Sequence, residues 1–146
     1  MINYHTLFSQ IGATTAVKKK VEMLQEEDTP NLRAILRAAY DEKITFTVPD
    51  TKPPYEVNEE EDWEDVPMKL HDQVMQFGRF ANINDGPTHQ AKSLTRMQRE
   101  TSLIGVLQGL HKHEADIVVN LLKRKISYNG ITPSLVEQAF PGLLGE

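Results

Sequence analysis

The chain has 146 residues and a mass of 16.6 kDa, the size of one domain. Hydrophobic residues make up 39% and charged residues 25%, as in a folded soluble domain, and the absence of cysteine excludes a disulfide framework, a thiolate metal site and a cysteine nucleophile. The net charge of -5 is uneven: residues 1–47 balance six basic against six acidic side chains, residues 48–72 set two against nine, and residues 73–146 set eight against six. Acidity is thus concentrated in one segment, which argues against a uniformly cationic nucleic-acid binder and leaves room for a local cationic face.

The start, MINYHTLFSQIGATTAVKKK, lacks the basic-then-apolar order of a secretory signal. No apolar run reaches the roughly 18 residues of a membrane span, so the expected setting is the cytoplasm, without a membrane. Tyr4, Leu7, Phe8 and Ile11 give one face of a first helix that Gly12 ends. Thr14 is placed to cap a second helix carrying Val17, Val21 and Leu24, with Lys18, Lys19 and Lys20 on its outer side. Thr29-Pro30 is a cap-then-proline start for a third helix through Leu32, Ile35, Leu36, Ala39 and Tyr40.

Lys43 to Val48 alternates and is β-branched, which predicts a short extended segment. An exposed acidic loop is expected over 49–66, where prolines precede Glu59, Glu60, Glu61, Asp62, Trp63, Glu64 and Asp65. Pro67 then opens a helix with Met68, Leu70, Val74 and Phe77, and Asn82 to Pro87 reads as a turn. A polar helix from about Thr88 leads into Met97, Leu103, Ile104, Leu107 and Leu110, although Gly105 and Gly109 weaken its continuity. Another from about Glu114 carries Ile117, Val118, Leu121 and Leu122 and ends in Lys123-Arg124-Lys125, where cations suit a helix C-terminus. After a turn at Ser127 to Gly130, Thr132-Pro133 starts a last short helix through Phe140, stopped by Pro141-Gly142. The expected class is all-α: a single compact multi-helix domain, 1–146, of six to eight helices.

Motifs for catalysis are missing. There is no phosphate-loop lysine, no nucleophile elbow and no dinucleotide fingerprint, so no enzyme activity, metal or cofactor is expected. His111-Lys112-His113-Glu114 followed by Asp116 is a poor metal set, because residues two apart on a helix diverge; a solvent-exposed helix start is expected there. The acidic run lacks the spacing of a calcium loop, as do Asn82, Asn84 and Asp85 before Gly86. The acidic run either solvates its loop or presents a phosphate-like surface to a basic partner. One stretch carries a mechanism: Lys123, Arg124 and Lys125 precede Asn129, Gly130, Ile131 and Thr132, a basic glycine turn before a capped helix, which suits a phosphate. The alternative is ordinary helix capping.

Two blocks resemble the N-terminal helical DNA-binding domain of ATP-dependent DNA ligases of T-even-type phages. The first runs from Phe8-Ser9-Gln10-Ile11-Gly12-Ala13-Thr14 through the lysines 18–20 to Leu32–Tyr40. The second runs from Leu121-Leu122-Lys123-Arg124-Lys125 through Gly130-Ile131-Thr132 to Phe140-Pro141-Gly142-Leu143-Leu144. The whole sequence is also similar to an uncharacterised family of small phage proteins. The resemblance implies a domain that grips the duplex backbone across the minor groove without reading sequence, in the cytoplasm of an infected bacterial host. It carries Lys123, Arg124, Lys125, Asn129, Gly130, Ile131 and Thr132 over as DNA contacts, with Lys18, Lys19 and Lys20 beside them. The K-x-D-G motif of the ligase nucleotidyltransferase domain is absent, so the expected role is a non-catalytic replication or repair accessory. The rival expectation is a protein-interaction module in which the acidic loop, Glu59 to Asp65 around Trp63, captures a sliding clamp, a polymerase or a host protein.

Overall fold

Asn3 opens the first helix by accepting from the Thr6 N–H, and α1 runs Tyr4–Ala13. It passes through Gly12 rather than stopping there, and the missing side chain lets a neighbouring turn approach: a Cβ on Gly12 would lie 2.9 Å from the Asn129 carbonyl oxygen. Thr14 does not cap the second helix. Its hydroxyl donates back to the Gln10 carbonyl at the end of α1, and α2, Val17–Glu26, begins after Ala16 with no side-chain cap. Thr29 caps α3, Pro30–Tyr40, as its cap-proline signal predicts, and Thr132 does the same for α8, Pro133–Ala139.

The computed structural model describes residues 3–49, 53–83 and 86–144. Asp50 in the acidic loop and the turn residues Asn84 and Asp85 lie outside them. The fold is mostly helical rather than all-α, because the extended segment pairs. Strand β1, Ile44–Phe46, lies antiparallel to β2, Ala81–Ile83, with Thr45 opposite Asn82, and β2 pairs with β3, Gly86–Pro87. The segment expected as a turn at 82–87 therefore supplies strand residues on both sides.

Pro67 does not start a helix. The Met68 N–H is taken by the Gly109 carbonyl and the Leu70 N–H by the Glu114 carboxylate, so the helix waits until α4, Leu70–Gln73, and continues as a 3-10 turn over Val74–Phe80. The segment from Thr88 is two helices. Thr88 caps α5, His89–Lys92, and Thr95 with Gln98 forms a reciprocal capping box for α6, Arg96–Gly109. His111 caps α7, Lys112–Leu122, two residues earlier than the apolar pattern indicates.

The apolar stripes meet in one core. Phe8, Ile11, Leu24, Leu32, Leu36, Phe80, Leu107, Leu121 and Val136 are all fully buried in it. Helices α1 and α7 lie side by side with their starts together: the Tyr4 N–H donates to Glu114, and the His5 and His113 rings stack at 4.1 Å. Their ends also meet, since Gly12 touches the turn that follows α7. The α1–α7 pair thus defines two ends of the molecule, and each end carries one group of the sequence-predicted residues. No helix among the described residues is long and apolar enough to cross a membrane.

Candidate functional site

At the end where α1 and α7 finish, the basic helix meets the glycine turn. Gly130 has φ +76°, a left-handed conformation that side chains rarely adopt, and a Cβ there would collide with the Lys20 Nζ. Helix α2 packs along α8, which brings Lys20 over the turn, while Lys18 and Lys19 stay exposed. Lys123 and Lys125 are exposed on the same turn segment. A depression of about 420 Å³ beside them is lined by Ser9, Gly12, Ala13, Ser127 and Asn129, among others. Lys20 of the first block therefore meets the glycine turn of the second, about a hundred residues away in sequence, and the lysines flanking each in the chain define the lysine corner.

Three residues carried over by the ligase resemblance are committed elsewhere. Arg124 has φ +63° and turns inward, where its guanidinium donates to the Asp41 carbonyl and its Nε is buried. Ile131 is 4% exposed; its carbonyl accepts from the Tyr40 hydroxyl at 3.1 Å and its N–H donates to the Tyr128 carbonyl. The Thr132 hydroxyl accepts from the Leu135 N–H, the ordinary capping role, so the start of α8 uses its own side chain where an anion was expected. The exposed cations of the corner are Lys18, Lys19, Lys123 and Lys125; Lys20 is half-buried with its ammonium over Gly130, and Asn129 and Gly130 are exposed.

The opposite end holds groups that sequence patterning placed wrongly. His111 and Glu114 are each 2% exposed, so the expected solvent-facing helix start is buried. Glu114 accepts from the Tyr4 N–H at 3.2 Å and the Leu70 N–H at 3.1 Å, pinning the starts of α1 and α4 to α7. Burial raises the Glu114 carboxyl above its ordinary range, and the two amide donors pull it partly back. Burial likewise pushes the Tyr4 hydroxyl, which lies 3.0 Å from His71 Nδ1, up to about 12.

Trp63 is half-buried. Its ring stacks on His111 at 3.7 Å and 13°, and His111 Nε2 lies 3.1 Å from the Glu61 carbonyl oxygen. The column continues through His113 to His5, whose Nδ1 lies 2.7 Å from the Tyr128 hydroxyl. The rest of the run, Glu59, Glu60, Glu61, Asp62, Glu64 and Asp65, is exposed, as expected of an acidic loop. Upstream, the loop is tied to the end of α6 by bonds from the Glu56 N–H and the Asn58 amide to Gln108. Helix α7 is 11 residues long, so about 16 Å of helix rise parts this acidic end from the lysine corner.

Among the described residues, no group of three His, Asp or Glu side chains is disposed to hold a metal ion, because the stacked imidazoles face one another through their rings. The molecule so defined is a mostly helical domain with a small antiparallel sheet, a lysine corner and a separate acidic loop. Residues 8–128 match a family of unknown function (DUF6433), and the chain belongs to that family. No curated protein matches the chain in sequence.

Proposed function

We propose that the chain is a non-catalytic phage accessory protein that binds the phosphate backbone of duplex DNA at the lysine corner, without reading sequence. The observation that carries this is the seating of Lys20 over Gly130, which joins the basic helix to the basic turn. Backbone binding needs clustered ammonium groups and close main-chain approach rather than base-reading side chains. Lys18, Lys19, Lys20, Lys123 and Lys125 supply the first, and the solvent-exposed turn at Asn129-Gly130 the second. The acidic loop is tied through Glu56 to Gln108 and through Glu61 to His111, which opens α7 at the end opposite the corner. The resemblance of the same two sequence blocks to the ligase DNA-binding domain supports a duplex as the polyanion.

The test is fluorescence anisotropy with a labelled duplex over a salt series, comparing wild type with the triple variant Lys20→Glu, Lys123→Glu, Lys125→Glu. Binding is expected to vanish at moderate salt. Single variants should flatten the dependence of log affinity on log salt by about 0.9 for each phosphate that is no longer neutralised. Arg96→Glu, at the start of α6, serves as the charge control. Unchanged affinity and slope in a folded triple variant would remove the lysine corner as the site. Arg124 is left intact because its inward bond to Asp41 would confound folding with binding.

A further inference from the structure

The acidic end contains a cavity of about 420 Å³ that the DNA reading does not use. Three carboxylates line it, Glu64 and Asp72 from the exposed surface and Glu114 from the interior, against one ammonium, that of Lys69. Trp63 and His71 add aromatic walls. The Trp63 ring is positioned at the cavity by its 3.7 Å stack on His111, so it offers an aromatic surface there. An indole flanked by carboxylates favours a cation over an anion or a neutral ligand, because ring and charges act with the same sign. A planar guanidinium fits better than an ammonium: it stacks on indole and its five N–H groups can serve two carboxylates at once. The volume exceeds one side-chain head and accommodates the aliphatic stem as well.

We infer that this cavity is a receptor for an arginine side chain of a basic protein partner, with Trp63 as the stacking face and Glu64 and Asp72 as the charge partners. The remaining carboxylates of the loop, Glu59 to Asp62 and Asp65, lie exposed around Trp63 and draw a basic segment toward the cavity. This goes beyond DNA binding, since it occupies the other end of α7 and needs none of the corner lysines.

Trp63 is the only tryptophan of the chain, so its emission reports on the cavity directly. The probes are N-acetylarginine amide, its neutral citrulline isostere, the lysine analogue, and a short arginine-containing peptide, followed by fluorescence and by titration calorimetry. The arginine compounds should produce saturable signals, the peptide binding more tightly than the single residue. The lysine analogue should bind at least threefold more weakly than the arginine one, and the citrulline isostere should be silent. Glu64→Gln with Asp72→Asn, both at exposed positions, should weaken peptide binding about tenfold while leaving the circular dichroism spectrum and duplex binding unchanged. Silence in both readouts, equal response to citrulline, or peptide affinity unaltered in the folded double variant would overturn the inference. Tighter binding of the lysine analogue would also overturn the guanidinium assignment. Duplex binding is scored separately with the corner variants, so either assignment can fail alone.

Discussion

Replacing Glu114 with Gln keeps the shape of the side chain and removes half its accepting capacity. The carboxylate serves two buried N–H groups, one from Tyr4 and one from Leu70, and the residue is 2% exposed. A carboxamide has one acceptor oxygen, and its NH₂ would face the second N–H donor to donor. Leaving one buried amide unpaired costs about 1–3 kcal/mol, and weakening the surviving bond from charge-assisted to neutral costs roughly 1 kcal/mol more. Relief of the buried charge offsets much of this, because burial outweighs the two donors in raising the carboxyl, so the expected net loss is about 1 kcal/mol, or about 2–4 °C in Tm for a chain of this size. Urea and thermal unfolding at pH 7, followed by far-UV circular dichroism, measure it. A loss below about 0.5 kcal/mol would refute the pinning role. The pH dependence gives a second check. Burial raises the folded carboxyl above its ordinary 4.5, so the native state holds the proton more tightly than the unfolded chain. That contribution is full below the unfolded value and is lost as pH rises through the folded one, so the gap between wild type and Glu114→Gln narrows from acid toward neutral pH. A widening gap would mean that the amide donors outweigh burial.

Gly130→Ala forces a side chain into a left-handed turn, at about 1–2 kcal/mol, and displaces the Lys20 ammonium, the movable end of a flexible chain. Stability should fall by that amount in urea unfolding and duplex affinity should fall with it; an unchanged unfolding midpoint would contradict the turn conformation. His5 and His113 stack at 4.1 Å, and both are held below their ordinary 6.5, first by burial, then by neighbouring positive charge: His113 and His111 act on His5, while His111 and Lys112 act on His113 against an opposing Asp116. The unfolded chain therefore takes up protons first, and the stability present above 6.5 is lost as pH falls through the lowered folded values. The urea midpoint should drop between pH 7.5 and 5.5, and His113→Phe should flatten that drop; equal slopes for the two proteins would contradict it.

Helix starts with their own local chemistry were readable from the chain alone. Thr29-Pro30 and Thr132-Pro133 cap through a hydroxyl that accepts from the N–H three residues further on, and no distant residue is needed. The failures share the opposite property. The Leu70 N–H is bonded by Glu114, 44 positions away, and so delays the helix expected from Pro67. Strand β2 exists because Ile44–Phe46 lies beside it, and the turn residues that flank it carry no sign of that partner. His111 and Glu114 read as a polar helix start because burial of a polar group is visible only once its partners are in place. The lysine corner was half legible: the cations were plain, but whether each points outward was not, and Arg124 points in.

The separation of charge along α7 gives the protein a polarity that its net value conceals. A polyanion approaching in dilute buffer exerts a torque on the whole body before it meets any one side chain, turning the ammonium-bearing pole forward. A protein with an acidic isoelectric point can thus adhere to a sulfonated resin, and salt would release it at a concentration set by that pole alone.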